Sequence, residues 1–209
     1  MHKSNQKVLI YGTGKISQAI ASYFKNPEIL SWRHGKKIHN RKYSYIYIVG
    51  YDFSSTLDRY SVFYQKNITK PLSVLSRYKY IKEAKIIYLN TKNDGSQFTR
   101  SRYYYGKQKL SYELSKRYKN LINVSLPSIE NDQGVVLHGG MISKFILGLA
   151  FRFFKVDKIH LENVYHYIQR SIEINANIRM YRKIKPISSI GLIWPRPLLV
   201  DRAIRFIYG

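Results

Sequence analysis

Short runs of β-branched and aromatic residues alternate with amphipathic segments along the first 129 residues of this 209-residue chain. The runs have the length and composition of buried strands, and the segments after them repeat their apolar residues at helical spacing. Strands that alternate with helices in this way favour a parallel sheet with helices on both faces. The predicted strands span residues 7–12, 28–33, 43–50, 84–91 and 121–129, and the predicted helices span 15–24, 71–81 and 102–120.

The pattern changes after residue 129. Two further helices are predicted at 139–156 and 160–173, and the remaining tail is apolar, basic and contains prolines. We therefore expect an α/β core over residues 1–129 and a small, mostly helical C-terminal subdomain over residues 130–209. That subdomain would serve substrate binding or oligomerisation.

The charge of the chain is strongly positive. Its 36 Lys and Arg residues face only 12 Asp and Glu residues, which gives a net charge of +24. Such a field indicates an anionic partner, which is a nucleotide, a nucleic acid or a membrane surface. The segment 141–155 is amphipathic, and we expect it to be core or a homodimer helix, with a helix on the membrane surface as the alternative.

The absence of cysteine excludes disulfides, thiolate zinc sites and cysteine nucleophiles. The six histidines show no metal-ligand spacing, so we expect no metal site. No apolar run approaches the roughly 20 residues needed to span a bilayer, and the first one is too short for a signal peptide. These features favour a cytoplasmic protein, with contact at the inner face of the membrane left open.

The first predicted strand ends in the turn "YGTGKIS", which has the order G-x-G-x-x-S. Glycine at Gly12 and Gly14 permits a tight turn with positive φ. The following helix offers free amides and the positive end of its dipole to a pyrophosphate. The turn therefore predicts a Rossmann-like, dinucleotide-binding core in which Gly12, Gly14, Lys15 and Ile16 contact the cofactor. An ordinary glycine turn is the alternative.

About 20 residues further on, dinucleotide-binding proteins distinguish their cofactors. An acidic residue there contacts the ribose of NAD, whereas a basic one accommodates the 2′-phosphate of NADP. This chain has Arg33 at that place, followed by Lys36 and Lys37. The sequence thus favours NADP, with NAD as the alternative.

The spacing Tyr-x-x-x-Lys is common in this chain and does not identify a site by itself. It occurs at 11/15, 78/82, 88/92, 103/107, 105/109, 112/116 and 181/185. Position and neighbours favour Tyr105 and Lys109. Tyr105 is followed by Gly106 and Glu113, and it lies 14 residues after Thr91, the last residue of a predicted strand.

The stretch "YGKQKLSYE" resembles the helix start Y-G-x-S-K-x-x-x-E of the extended short-chain dehydrogenase/reductases, with Gln108 in place of serine. This family contains nucleotide-sugar epimerases, dehydratases and reductases. Four more segments resemble it in the right order, so that the likeness covers most of residues 7–169. They are "YLNT", "YQKNITKPLSVL" with Asn67 matched, "LPSIENDQG" with Pro127 beside the nicotinamide, and "IHLENVYHYI".

The resemblance implies an NAD(P)-dependent reductase or epimerase of a nucleotide-linked or lipid-linked sugar, in bacterial surface polysaccharide synthesis. Tyr105 would be the general acid or base, and Thr91 would hold the same substrate oxygen. Lys109 would bind the nicotinamide ribose. A lysine one helical turn from a tyrosine lies on the same face and favours the phenolate. The alternative to a catalytic role is a purely structural one, in which Tyr105 belongs to the core and Lys109 is a solvated surface charge.

The chain departs from the family at several positions. Tyr11 and Ser17 replace the first and last glycines of T-G-x-x-G-x-x-G, and Tyr11 would place a bulky side chain near the pyrophosphate. Between Arg33 and Tyr43 there are too few residues for the usual helix, strand and acidic adenine contact, so we expect a reduced sheet.

One further difference bears on the reaction. Lys92 and Asn93 follow Thr91 where the dehydratases have an Asp-Glu pair, which disfavours dehydration.

A second hypothesis is a catalytically silent Rossmann-like protein that binds RNA or another anionic partner. Its binding residues would be the basic and aromatic stretches "RKYSYIY" and "SRYYYGK".

Overall fold

A five-stranded parallel sheet forms the centre of the protein. The computed structural model describes residues 3–31, 41–52, 54–55, 58–91, 102–131 and 158–177. The strand order is β2-β1-β3-β4-β5, and every neighbouring pair is parallel. The strands are β1 (Val8–Tyr11), β2 (Glu28–Leu30), β3 (Tyr45–Ile48), β4 (Lys85–Thr91) and β5 (Leu121–Leu126). The predicted α/β class and parallel sheet are thus confirmed.

Helices cover both faces of this sheet, as predicted. Successive side chains of a strand point to opposite faces. Leu9, Ile46 and Tyr88 accordingly pack with α3 and α4, whereas Ile10 and Ile87 pack with α1 and α5. The helices are α1 (Lys15–Ala21), α2 (Tyr60–Tyr64), α3 (Lys70–Ser76), α4 (Arg102–Arg117) and α5 (Val164–Asn177), and a π-helical turn (Gln65–Thr69) joins α2 to α3.

The chain beyond β5 differs in part from the prediction. The single strand expected over residues 121–129 is interrupted at Pro127, and β6 (Ser128–Glu130) pairs in parallel with a strand that was not predicted, β7 (Lys158–His160). The helix expected at 160–173 is confirmed as α5, which packs on the sheet beside α1. The helix expected at 139–156 and the tail lie outside the described residues, and the boundary at 129/130 stays a prediction.

No described helix is both long enough and apolar enough to cross a bilayer.

The turn after β1 connects the carboxyl ends of β1, β2 and β3 through backbone hydrogen bonds. Gly12 donates its amide to the Leu30 carbonyl at 2.8 Å, and the amides of Val49 and Gly50 both donate to the Tyr11 carbonyl at 3.0 Å. Gly12 has a φ of +143°, and a Cβ there would lie 2.7 Å from the Gly50 nitrogen. Only glycine therefore fits this turn without displacing β3.

We expect Gly12→Ala to lower the free energy of unfolding by about 2 kcal/mol or more, because it adds both a disfavoured φ and a backbone clash. Gly14→Ala is the matched control. Gly14 has an extended backbone, and a Cβ there meets nothing within 4 Å, so we expect a change below about 0.5 kcal/mol. Urea denaturation of the two variants measures this difference. Equal destabilisation by both would contradict the assignment of strain to Gly12.

Candidate active site

The candidate site lies at the carboxyl edge of the sheet. From β1 the chain moves outward to β2 and then crosses to β3 on the other side of β1, so the strand order reverses between β1 and β3. Ligands of open α/β sheets bind in the crevice outside such a reversal. Gly12 and Gly50 meet at this point.

Two hydroxyl groups face each other at the end of β4. Thr91 is the last residue of β4 and Tyr103 lies in the first turn of α4, and the Thr91 Oγ1 and Tyr103 Oη atoms are 3.0 Å apart. The ring of Tyr51, just beyond β3, meets the Tyr103 ring edge-on with a centroid distance of 4.8 Å. Burial raises the pKa of Tyr103, and the hydrogen bond with Thr91 opposes that rise. One substrate oxygen placed here would reach both hydroxyls.

A buried lysine lies one helical turn beyond Tyr103. Lys107 is only 5% exposed, and its Nζ donates to the Leu89 carbonyl at 3.0 Å and to the Val49 carbonyl at 3.4 Å. Its backbone carbonyl accepts a hydrogen bond from the Tyr88 hydroxyl at 3.0 Å. Desolvation lowers the pKa of Lys107 to about 7. The amino group is thus held at the ends of β3 and β4, next to the topological reversal.

Tyr105 and Lys109, the pair favoured by the sequence, are held by other partners. The Tyr105 hydroxyl lies 2.9 Å from the Tyr60 hydroxyl, and burial raises the pKa of Tyr105. Lys109 Nζ pairs with Glu113 Oε1 at 2.9 Å, and this hydrogen bond raises the pKa of Lys109. The structure therefore brings Thr91 to Tyr103 and gives Tyr105 a different hydroxyl partner. The catalytic assignment of Tyr105 and Lys109 stays a prediction.

The phase of α4 explains this arrangement. Residues four or three positions apart share a helix face, and Tyr103, Lys107, Leu110 and Leu114 follow that spacing. Leu110 and Leu114 are buried against the sheet. Tyr105 lies two residues on, which is a rotation of about 200°. The pair Tyr103 and Lys107 could have been found in the sequence, because Leu110 and Leu114 follow it at helical spacing and mark the face of α4 that packs on the sheet.

A glycine allows α4 to lie this close to its neighbours. A Cβ on Gly106 would be 3.0 Å from Tyr51 Cε2 and 3.1 Å from Phe63 Cζ. The Tyr51 ring also borders the site, where it contacts Tyr103, whereas the Phe63 ring packs near Tyr105. Gly106 therefore serves close packing rather than an unusual backbone conformation.

Asn67, matched to a family motif in the sequence, fixes the loop that follows β3. Its Oδ1 accepts the Asp52 amide at 2.8 Å, and its Nδ2 donates to Ser55 Oγ at 2.8 Å. Asn67 is buried in the π-helical turn and is 2% exposed. The loop that carries Tyr51 to the site is thus attached to the helix that covers the sheet.

The predicted cofactor turn is present and open at its outer side. Gly14 precedes α1, Lys15 is exposed, and Ile16 packs partly into the core. Ser17 is fully buried, and its Oγ would lie 3.1 Å from a Cβ on Gly12. The third small residue of the motif therefore sits directly under the turn, where a larger side chain would collide.

The expectation that Tyr11 crowds the pyrophosphate is wrong. Tyr11 is fully buried in the cluster with Leu9, Ile48 and Ile68. That cluster lies on the face covered by α3 and α4, whereas α1 and its turn belong to the other face. Burial raises the pKa of Tyr11. The tyrosine is a core residue and leaves the turn accessible.

Two further residues predicted to contact the cofactor are Pro127 and Arg33. Pro127 is partly buried between β5 and β6. Arg33 lies outside the described residues. Within the described part of the chain, no three or more His, Asp or Glu side chains are grouped as a metal site requires.

Comparison with solved structures agrees with this architecture. A dTDP-4-dehydrorhamnose reductase from Clostridium acetobutylicum is 12% identical, with a TM-score of 0.53 and coverage of 81% of this chain and 71% of that chain. The corresponding reductase from Bacillus anthracis, solved in complex with NADP, is 10% identical, with a TM-score of 0.52 and coverage of 86% and 73%. The fold is Rossmann-like.

An ADP-L-glycero-D-manno-heptose-6-epimerase from Helicobacter pylori is 14% identical, with a TM-score of 0.49 and coverage of 81% of this chain and 74% of that chain. No protein-family model matches the sequence, and no curated protein matches it.

The burial of Lys107 predicts a specific pH dependence of stability. The unfolded chain binds a proton at this side chain up to about pH 10, whereas the folded protein releases it above about pH 7. Between those values the unfolded state holds more protons, so stability rises with pH by about 1.4 kcal/mol per pH unit relative to Lys107→Met. Urea denaturation at several pH values measures this slope.

Lys109→Met is the control for this measurement. The ion pair with Glu113 raises the pKa of Lys109, so the group stays charged in both states over the same pH range. We expect no comparable slope between this variant and the wild type. If the free energy of unfolding changes with pH in the same way in the wild type and in Lys107→Met, Lys107 titrates normally and the expectation is contradicted.

Proposed function

We propose that this protein is an NAD(P)-dependent reductase or epimerase of a nucleotide-linked sugar, and that Tyr103, Thr91 and Lys107 form its catalytic group. The observation that carries this proposal is the 3.0 Å contact between the Thr91 and Tyr103 hydroxyls, with the Lys107 amino group one helical turn away. These are the residue types that the family resemblance implies, at the same edge of the sheet, two positions before the pair favoured by motif alone.

The residues at the topological reversal fit a dinucleotide. Gly12 has the positive φ that the tight turn requires, and the space outside Gly14 is open. Lys15 adds an exposed positive charge at the start of α1. A bound nicotinamide cofactor would supply the hydride. NADP is the proposed cofactor, because Arg33 follows the turn at the distance where a basic residue accommodates a 2′-phosphate, and NAD is the alternative.

Residues of the chain would transfer the proton that the reaction requires. In a reduction, the Tyr103 hydroxyl would donate a proton to the carbonyl oxygen of the sugar, and the Thr91 hydroxyl would hold the same oxygen by a hydrogen bond. A tyrosine with an unperturbed pKa near ~10 leaves a costly phenolate at neutral pH. A protonated Lys107 would stabilise that phenolate through its charge.

The proposed substrate is a sugar carried on a nucleoside diphosphate. The solved reductases with this fold act, by name, on dTDP-4-dehydrorhamnose, which makes that 4-keto sugar the first compound to test. The net charge of +24 suits a diphosphate. A lipid-linked sugar and a role in surface polysaccharide synthesis are further parts of the proposal.

Replacing one tyrosine at a time distinguishes the two tyrosines. We expect Tyr103→Phe to lower kcat with dTDP-4-dehydrorhamnose and NADPH by roughly 100-fold or more, because it removes the proton donor and leaves the packing intact. Tyr105→Phe should change kcat by less than about threefold, since its hydroxyl contacts Tyr60. NADPH absorbance gives the rate, and fluorescence titration gives cofactor affinity, which both variants should keep.

The opposite ranking would restore the pair Tyr105 and Lys109 as the catalytic one. Equal losses in both variants would point to packing rather than proton transfer. If the wild-type protein binds neither NADP nor NAD at millimolar concentration, the enzymatic proposal fails, and the catalytically silent binding protein becomes the better hypothesis.

A further inference from the structure

The amino edge of the sheet carries a concentrated positive charge. Because all five strands run in the same direction, the segments that precede them meet at one edge. Backbone hydrogen bonds connect these segments: the Ser44 amide donates to the Lys7 carbonyl at 2.8 Å, and the Lys85 amide donates to the Ser44 carbonyl at 2.9 Å. The Ile86 amide donates to the Asn120 carbonyl at 3.1 Å. We call the described segments 3–7, 25–28, 41–44, 77–85 and 116–120 the basic edge.

The basic edge contains twelve Lys and Arg residues, all of them exposed, and two Glu residues. Both acids are ion-paired within it, Glu28 with Arg41 at 2.8 Å and Glu83 with Lys42 at 2.9 Å. The surplus of ten positive charges is therefore exposed to solvent. It is a large share of the net charge of +24.

Neither helix dipoles nor the candidate site account for this surplus. Cations at the C-termini of helices are stabilised by the dipole, which explains Arg77 after α3 and Lys116 and Arg117 at the end of α4. The other cations precede strands or, in the case of Lys85, begin one. β4 has seven residues and a rise of about 3.3 Å each, which puts Lys85 about 20 Å from Thr91. The basic edge is too far away to hold the substrate of that site.

Two tyrosines, one within the basic edge and one directly after its segment 41–44, are covered by lysines of the same chain. Lys42 Nζ and Lys79 Nζ lie 5.3 and 5.5 Å from the centroid of the Tyr80 ring, and Lys85 Nζ lies 5.8 Å from that of Tyr45. Binding of single-stranded nucleic acid uses aromatic faces that are free to stack on bases. An anionic bilayer needs only a broad array of cations, to which half-buried tyrosines add an amphipathic ring suited to the headgroup region.

We propose that the basic edge binds the surface of an anionic phospholipid bilayer. Five strands about 4.8 Å apart spread the cations over about 20 Å, so many of them reach one plane together. This proposal does not rest on the proposed reaction, because it concerns the opposite edge of the sheet. It orients the carboxyl edge away from the lipid.

Sedimentation with lipid vesicles tests the proposal. The wild-type protein should bind vesicles of phosphatidylcholine and phosphatidylglycerol, should not bind phosphatidylcholine alone, and should be released by salt. Each lysine near such a surface contributes about a fivefold change in affinity, so the triple variant Lys79→Gln, Lys82→Gln, Lys119→Gln should bind roughly 100-fold more weakly.

A second triple variant has the same net charge and serves as the control. Arg59→Gln, Lys158→Gln and Arg170→Gln remove three exposed cations that lie outside the basic edge, and this protein should bind like the wild type. Thermal unfolding of both variants checks that they are folded. Equal weakening of both would mean that net charge alone attracts the protein, and would overturn the proposal.

Two other results would also overturn it. One is the absence of wild-type binding to the anionic vesicles at low salt. The other is tight binding of a single-stranded RNA that the basic-edge variant loses while vesicle binding is unaffected, which would make nucleic acid the partner of this edge.

Discussion

The buried amino group of Lys107 sets the rotation of α4, and the candidate site depends on that rotation. Its hydrogen bonds to the carbonyls of Leu89 and Val49 join one helix to the ends of two adjacent strands. A rotation of α4 would break both bonds and leave a buried polar group without them, at a cost of about 1–3 kcal/mol or more. The same rotation of α4 places the Tyr103 hydroxyl against that of Thr91, and it places the Tyr105 hydroxyl against that of Tyr60. Gly106 permits it, because a side chain there would press on the rings of Tyr51 and Phe63.

The parallel sheet gives the two edges different chemistry. The carboxyl edge holds the Gly12 turn, at the reversal between β1 and β3, and the hydroxyl and amino groups of Thr91, Tyr103 and Lys107. At the amino edge, the short segments before the strands expose cations and keep only Glu28 and Glu83 among them. Among the described residues the charge is thus unevenly placed, and a bias in overall composition explains the size of the charge better than its position. A surface function at the amino edge accounts for both.

Local patterns were sufficient for the parallel sheet with its flanking helices, and for the positions of Thr91 and of the glycine turn. Short runs of β-branched and aromatic residues located all five strands of the central sheet, and the strand end at Thr91 and the turn at Gly12 were predicted from short segments. The choice among Tyr103 and Tyr105 could not be made from the motif, because both have a lysine four residues on; only the phase of Leu110 relative to the sheet separates them. Tyr11 was misjudged because the face on which a strand residue lies depends on the helices around it. The pairing of β6 with β7 joins segments 28 residues apart, which no local pattern reveals.

The two edges together bear on the kind of sugar carrier. If the basic edge lies on a bilayer, the hydroxyls of Thr91 and Tyr103 are about 20 Å from the lipid, at the opposite edge of the sheet. A nucleotide-linked sugar diffuses to such a site without hindrance, and the positive field of the chain would raise its local concentration. A lipid-linked sugar would have to extend its head group along the whole length of β4 to reach the same hydroxyls. Membrane contact through the amino edge would therefore favour a nucleotide as the carrier.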